Sequence, residues 1–129
     1  MDTNQIYQEQ ILDHCKNPRN KGKMTNASIH HHELNPLCGD ELHVYFMIDK
    51  DIVKDVRIDG HGCAISQASA SMLGEKVKGM KLEDVKFISK EEVLEMLGIP
   101  ISAARLKCAL LSIVTFKNAI ALHKTEANK

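Results

Sequence analysis

The sequence predicts an α+β fold, a small antiparallel three-stranded sheet with helices packed on one face, and three observations lead there. First, Glu41 to Asp49 alternates, with Leu42, Val44, Phe46 and Ile48 on one side and His43, Tyr45 and Met47 on the other, as in a half-buried strand. Second, after an Asp49-Lys50-Asp51 turn, Val53 to Asp59 repeats the pattern with Val56 and Ile58 inward, which makes an antiparallel hairpin. Third, the segments around the hairpin space their apolar residues by three and four, and strands followed by helices fit a sheet with its helices on one side.

Each element follows in chain order. Gln5 to Lys16 sets Ile6, Ile11 and Leu12 among polar residues at roughly helical spacing, and Asn17-Pro18 ends that helix because the residue before proline avoids the α region. Arg19 to Asn26 reads as a polar loop, and Ala27 to Leu34, with weaker alternation, as a third strand beside the hairpin. Gly60-His61-Gly62 is expected to break the second hairpin strand. Ala64 to Lys78 is helical, with Ile65, Ala68 and Met72 on one side and many Ala and Ser residues suited to close packing. Ser89 to Leu97 is a short amphipathic segment opened by a capping-box pair, Ser89 and Glu92, and closed by Gly98-Ile99-Pro100. From Ser102 a helix is expected to about His123 with Ala109, Ile113, Phe116 and Ile120 as its apolar stripe, and residues 124–129 form a flexible tail.

These elements make a single domain over residues 1–129, long enough for a modest core. The 17 basic and 17 acidic side chains balance, so no global field favours nucleic acid, an anionic membrane or acidic ligands. The N-terminus lacks a basic-then-apolar signal pattern and purely apolar runs are only a few residues long, so the expected location is cytoplasmic. In a reducing cytosol four cysteines point to thiols or metal ligands rather than disulfides.

Three of the cysteines sit where elements change: Cys38 before the hairpin, Cys63 at a loop-to-helix junction and Cys108 early in the last helix. Separations of 25 and 45 residues are too wide for zinc-ribbon knuckles, so a shared site needs the whole fold to assemble it. Helix N-termini and basic neighbours, here Arg105 and Lys107 beside Cys108, favour thiolates, the form that both binds metals and attacks sulfur. Asp40, two residues past Cys38, can add a harder fourth ligand. Three thiolates and a carboxylate at close quarters need a cation or protons, and their softness selects zinc, copper(I) or an iron–sulfur cluster. A lone cysteine is more often a small buried hydrophobe, and Cys15 is assigned to that class. His30-His31-His32 is read as a solvated strand edge, because alternate side chains of a strand point apart. His61, beside Gly62-Cys63, is a candidate supporting residue. A Cys/His enzyme with His61 as base gives no reason for three cysteines and Asp40, and a structural zinc domain is the remaining alternative.

Four segments together resemble a known family. They are Asp13-His14 through Asn17-Pro18-Arg19-Asn20 with Gly22, Asn35-Pro36-Leu37-Cys38-Gly39-Asp40, Gly62-Cys63-Ala64-Ile65-Ser66 with Ala68-Ser69-Ala70-Ser71-Met72, and Ala104-Arg105-Leu106-Lys107-Cys108. In this order they resemble the IscU/SufU (NifU N-terminal domain) family of iron–sulfur cluster assembly scaffolds. The resemblance implies a compact α+β fold in which Cys38, Asp40, Cys63 and Cys108 converge on one exposed site. It further implies a cysteine desulfurase that delivers persulfide sulfur, and a scaffold rather than an enzyme. Cys38, on a glycine-flanked loop, and Cys108, beside basic Arg105 and Lys107, are the candidate acceptors. The cargo would be iron and a transient [2Fe-2S] cluster, passed to recipient apoproteins or carriers by a monomer or homodimer. The Cys63 segment and Lys107 look like the SufU branch, where bound zinc and sulfurtransferase-like sulfur acceptance are typical; the IscU branch usually has histidine before the third cysteine. The short Cys63-to-Cys108 interval instead resembles the IscU branch. Gly98-Ile99-Pro100-Ile101-Ser102 replaces the Leu-Pro-Pro-Val-Lys segment by which IscU proteins engage a dedicated Hsp70 chaperone, which argues against that interaction.

Overall fold

A computed structural model describes residues 3–35 and 39–127 of the chain. The element order is α1 (Thr3–Lys16), β1 (Ile29–Asn35), β2 (Asp40–Asp49), β3 (Ile52–His61), α2 (Ala64–Val77), α3 (Leu82–Lys86), α4 (Lys90–Leu97), a single 3-10 turn (Ala103–Arg105) and α5 (Leu106–Ala127). The strands form one antiparallel sheet in the order β1-β2-β3. Helices α2 and α5 cover one face, α5 lying against β1 and β2 and α2 against β3. The α+β expectation is therefore met.

The inner face is the alternating set foreseen in β2 and β3. Leu42, Val44, Phe46, Val56 and Ile58 are buried there, and Ile113, Phe116 and Ile120 of α5 pack into the same core. The Phe46 and Phe116 rings meet edge to face at 5.3 Å, a favoured aromatic arrangement. Ala109 is equally buried, but belongs to a second cluster with Ile11, Ala68, Met72 and Leu97, where α1, α2, α4 and α5 meet. One stretch, Ala103–His123, is long and apolar enough to cross a membrane by length and composition. Half of it is buried inside the fold, as expected of the helix that closes a core.

Several boundaries differ from the sequence reading, each for a local reason. The β2–β3 turn needs left-handed backbone at Lys50 and Asp51, φ 54° and 63°, which a two-residue hairpin turn of this hand requires. β3 does not stop at Asp59. Gly60, at φ 139°, keeps pairing with Leu42, and His61 pairs with Glu41. A Cβ on Gly60 would lie 2.2 Å from the Glu41 carbonyl oxygen, so glycine here permits close strand approach instead of breaking the strand. Residues 82–86 form a helix too short for periodicity to reveal. Ser89 caps α4 as foreseen, its hydroxyl accepting from the Glu92 N–H at 3.1 Å. A left-handed Gly98 closes that helix. α5 starts after a 3-10 turn and runs on to Ala127, past the expected end near His123.

The first resembling segment docks α1. Asp13 pairs with Arg19 and accepts from Asn17, and the Arg19 and Asn17 hydrogen bonds hold its carboxyl below the usual range. Asn20 and Gly22 bond the backbone of Ile58, which ties this loop to β3. His14 is buried, with its Nδ1 2.7 Å from the Ser71 hydroxyl, and that hydroxyl also accepts from the Arg19 N–H at 2.9 Å. Burial, helped by the nearby Arg19 charge, lowers the His14 pKa from its ordinary value of 6.5. The unfolded chain then takes up this proton at higher pH than the folded one. The contribution of neutral His14 to stability is full above that value and is lost as pH falls below it. Unfolding midpoints followed from about pH 7.5 to about pH 5.5 should drop more steeply for the wild type than for His14→Gln, which lacks the titrating ring.

Candidate metal centre

The site forms where β2 begins and α2 and α5 start. Asp40 is the first residue of β2 and is only 2% exposed. A carboxylate buried this far needs partners. Its Oδ1 accepts the backbone N–H of Cys63 at 3.1 Å, and Oδ2 lies 3.8 Å from Cys63 Sγ. Cys63 is the N-cap of α2, with extended backbone (φ −70°, ψ 168°). Its side chain makes no capping bond to the helix, so the Asp40 carboxylate meets the positive end of α2 in its place. Gly62 makes room for this. A Cβ there would fall 2.4 Å from Ser66 Oγ and 2.7 Å from Asp40 Oδ1.

Cys108 reaches the same place from the first turn of α5 and is buried, at 1% exposure. Its position depends on how α5 is seated on α2. Ser69 of α2 donates to the Ala109 carbonyl at 2.8 Å and lies 2.8 Å from the Ser112 hydroxyl, so a buried polar pair is satisfied across the helix contact. Ala68 and Ala70, both buried beside it, keep the helices close. One ligand atom each from Asp40, Cys63 and Cys108 lie within 4.8 Å of one another. Ligands of tetrahedral zinc stand about 3.8 Å apart at ordinary Zn–S lengths, so small side-chain adjustments suffice to close on a metal. Two soft sulfurs and one hard oxygen fit zinc or iron in donor type.

Cys38 lies outside the described residues, although the flanking Asn35 and Gly39 are tied by a 2.8 Å backbone hydrogen bond. The other sequence-selected residues are placed differently. Arg105 and Lys107 are exposed, Arg105 in the 3-10 turn and Lys107 at the start of α5. His61 is 71% exposed, and its Nδ1 lies 3.7 Å from Glu41 on the side of the sheet away from the helices. It does not join the Asp40, Cys63 and Cys108 group. Cys15, read as a small buried hydrophobe, is half-buried on α1 and also outside that group. Gly62 and Ser69 are the positioning residues that reasoning on ligand types alone passes over. The signal for them was the Gly-Cys pair and the small-residue run of α2.

Residues 6–129 match the family model described as the NifU-like N terminal domain. The chain belongs to the NifU-like N-terminal domain family. Among characterised relatives it is 36% identical to the zinc-dependent sulfurtransferase SufU of Bacillus subtilis, over 90% of each chain. It is 32% identical to the iron-sulfur cluster assembly scaffold protein IscU of Thermotoga maritima, over 89% of this chain and 92% of that one. The crystal structure of the SUF-system protein FiSufU from thermophilic Fervidobacterium islandicum superimposes with a TM-score of 0.79 at 30% identity, covering 92% of this chain and 99% of that one. The α+β architecture is thus that of the NifU-like family, as the four segments implied.

Because Gly62 borders both Asp40 and Ser66, Gly62→Ala should push the carboxylate off the Cys63 N–H while leaving the strands paired. The expected result is zinc affinity reduced about tenfold or more, the scale of lost outer partners at metal sites, with an unchanged far-ultraviolet circular dichroism spectrum. Competition with a chromophoric chelator measures the affinity; an unaltered value would show that Asp40 does not depend on this cradle.

Proposed function

We propose that the protein is an iron–sulfur cluster assembly scaffold that accepts persulfide sulfur from a cysteine desulfurase, binds iron and passes a [2Fe-2S]-type cluster to recipient apoproteins or carriers in the cytoplasm. The observation that supports it most is the convergence of Asp40, Cys63 and Cys108 from three separate elements. Cys38, two residues before Asp40 in the sequence, is assigned as the third thiolate. Scaffold relatives and the family match favour iron and sulfide as the cargo.

In sulfur acceptance an acceptor thiolate attacks the outer sulfur of the donor persulfide. One S–S bond forms, the donor S–S bond breaks and the desulfurase leaves as a thiolate, so the transfer needs no oxidant. Conversion of the sulfane sulfur to sulfide takes two electrons from a separate reductant. Cys108 is buried and Cys63 is held at the start of α2. Cys38, next to Gly39 in the sequence, is therefore the proposed first acceptor, with Cys108 following when its packing opens. Brief exposure to desulfurase, alkylation and mass spectrometry should find persulfide on Cys38 before Cys63; first appearance on Cys63 would reverse this order.

A second reading is favoured by the 36% identity to the zinc-dependent SufU. Zinc would hold the thiolates in their ionised form until a desulfurase displaced one of them. Metal analysis with a visible spectrum after anaerobic purification separates the two. Colourless protein with stoichiometric zinc, which forms no cluster when given iron, a sulfide source and desulfurase, would count against the scaffold. The role of Asp40 gives a further check. A carboxylate is a harder and more labile cluster ligand than a thiolate, which suits release. Asp40→Ala should retain its visible absorbance in air longer than the wild type, and Cys15→Ser should match the wild type in metal content.

A further inference from the structure

The sheet face opposite the helices carries a second group of metal-ligating side chains. Alternation along β1 turns His30 and His32 to this face and His31 to the other, where it bonds Glu33 at 2.8 Å. The register then sets His32 directly opposite His43, while Glu41 lies diagonal to His32 and opposite His61 on β3. Glu41 Oε1 is 3.0 Å from His43 Nε2 and 3.5 Å from His32 Nε2, and its Oε2 is 3.7 Å from His61 Nδ1. One ligand atom each from His32, Glu41 and His43 lie within 4.8 Å of one another, all on half-buried or exposed side chains.

The imidazoles hold one another in place. The His32 and His43 rings stack at 4.5 Å, and His30 lies between His43, at 5.3 Å, and Tyr45, at 4.3 Å. Tyr45 is itself buried, so the stack stands on a fixed base. His30 Nε2 is 3.1 Å from His43 Nδ1. This is the outer hydrogen bond that commonly orients a ligating histidine and fixes which nitrogen faces the metal. A metal on His43 Nε2 leaves the ring proton on Nδ1, where His30 can accept it. Two imidazoles and one carboxylate from rigid paired strands form the ligand type that suits first-row divalent ions such as iron(II), cobalt(II), nickel(II) and zinc(II).

We propose that His32, His43 and Glu41 form a second, thiolate-free binding site for a divalent first-row transition-metal ion, with His61 beside the other oxygen of Glu41 and His30 orienting His43. The site is independent of the cysteine centre in its ligands, yet back to back with it: Asp40 and Glu41 are consecutive residues of β2 facing opposite sides.

Cobalt(II) is the probe, because thiolate ligation gives intense near-ultraviolet charge-transfer absorption that imidazole and carboxylate ligands do not. In a chain with Cys38, Cys63 and Cys108 all replaced by Ser, titration calorimetry should show one cobalt ion bound without charge-transfer bands. Adding His32→Gln and His43→Gln should weaken that binding at least about tenfold, and adding His31→Gln should leave it unchanged. Absence of binding in a folded triple-serine chain, or binding indifferent to His32→Gln and His43→Gln, overturns the proposal. If the triple-serine chain does not fold, the wild type loaded with one equivalent of zinc, which the thiolate centre takes first, serves instead. Cobalt(II) should then broaden the His32 and His43 imidazole proton signals before those of His31 and His123, and equal or reversed broadening overturns it.

Discussion

The hydrogen bond from the Cys63 backbone N–H to the buried Asp40 carboxylate is the constraint on which the rest of the site depends. A carboxyl group removed from water is costly unless it gains partners, and the start of α2 supplies a donor together with the positive end of a helix dipole. The bond joins the first residue of β2 to the N-cap of α2, 23 positions further along the chain. It is one of the contacts that seat the start of α2 on the sheet. α2 in turn holds α1 through His14 and Ser71 and α5 through Ser69 and Ser112. A side chain at position 62 would disturb this joint first, which explains a glycine beside a cysteine better than any demand of the turn.

The inner face of the sheet and the core stripe of α5 were legible because both are local periodic patterns. Leu42, Val44 and Phe46 alternate, and Ile113, Phe116 and Ile120 recur by three and four, and all are buried. The convergence of Cys63, Cys108 and Asp40 was legible from residue chemistry and family resemblance, since no spacing rule connects positions so far apart. What stayed hidden depends on tertiary detail. The last residues of β3 looked like a breaker because Gly60 permits turns and close strand contact alike, and only the neighbouring strand decides between them. Helix α3, five residues long, is shorter than two turns and leaves no period to read.

The histidines show the same limit more sharply. Alternation correctly separates His31 from His30 and His32, which argued against a site built from three consecutive residues. The same alternation presents His32 to whatever lies opposite, and that partner is set by register, a long-range property fixed by the turns and the buried face. Here the partner is another histidine. A local pattern can thus dismiss one cluster and, by the same geometry, build a different one.

Helix α5 has a consequence for how the chain comes to its native state. It follows every other element in the order of synthesis, yet it supplies Phe116, Ile113 and Ile120 to the sheet and Cys108 to the site. While a ribosome is still making residues before 106, the inner face over β1 and β2 lacks its helix and the centre lacks one of its sulfurs. Docking of α5 buries its apolar stripe and brings Cys108 to Asp40 and Cys63, so until that helix has been made and seated the donor set stays incomplete.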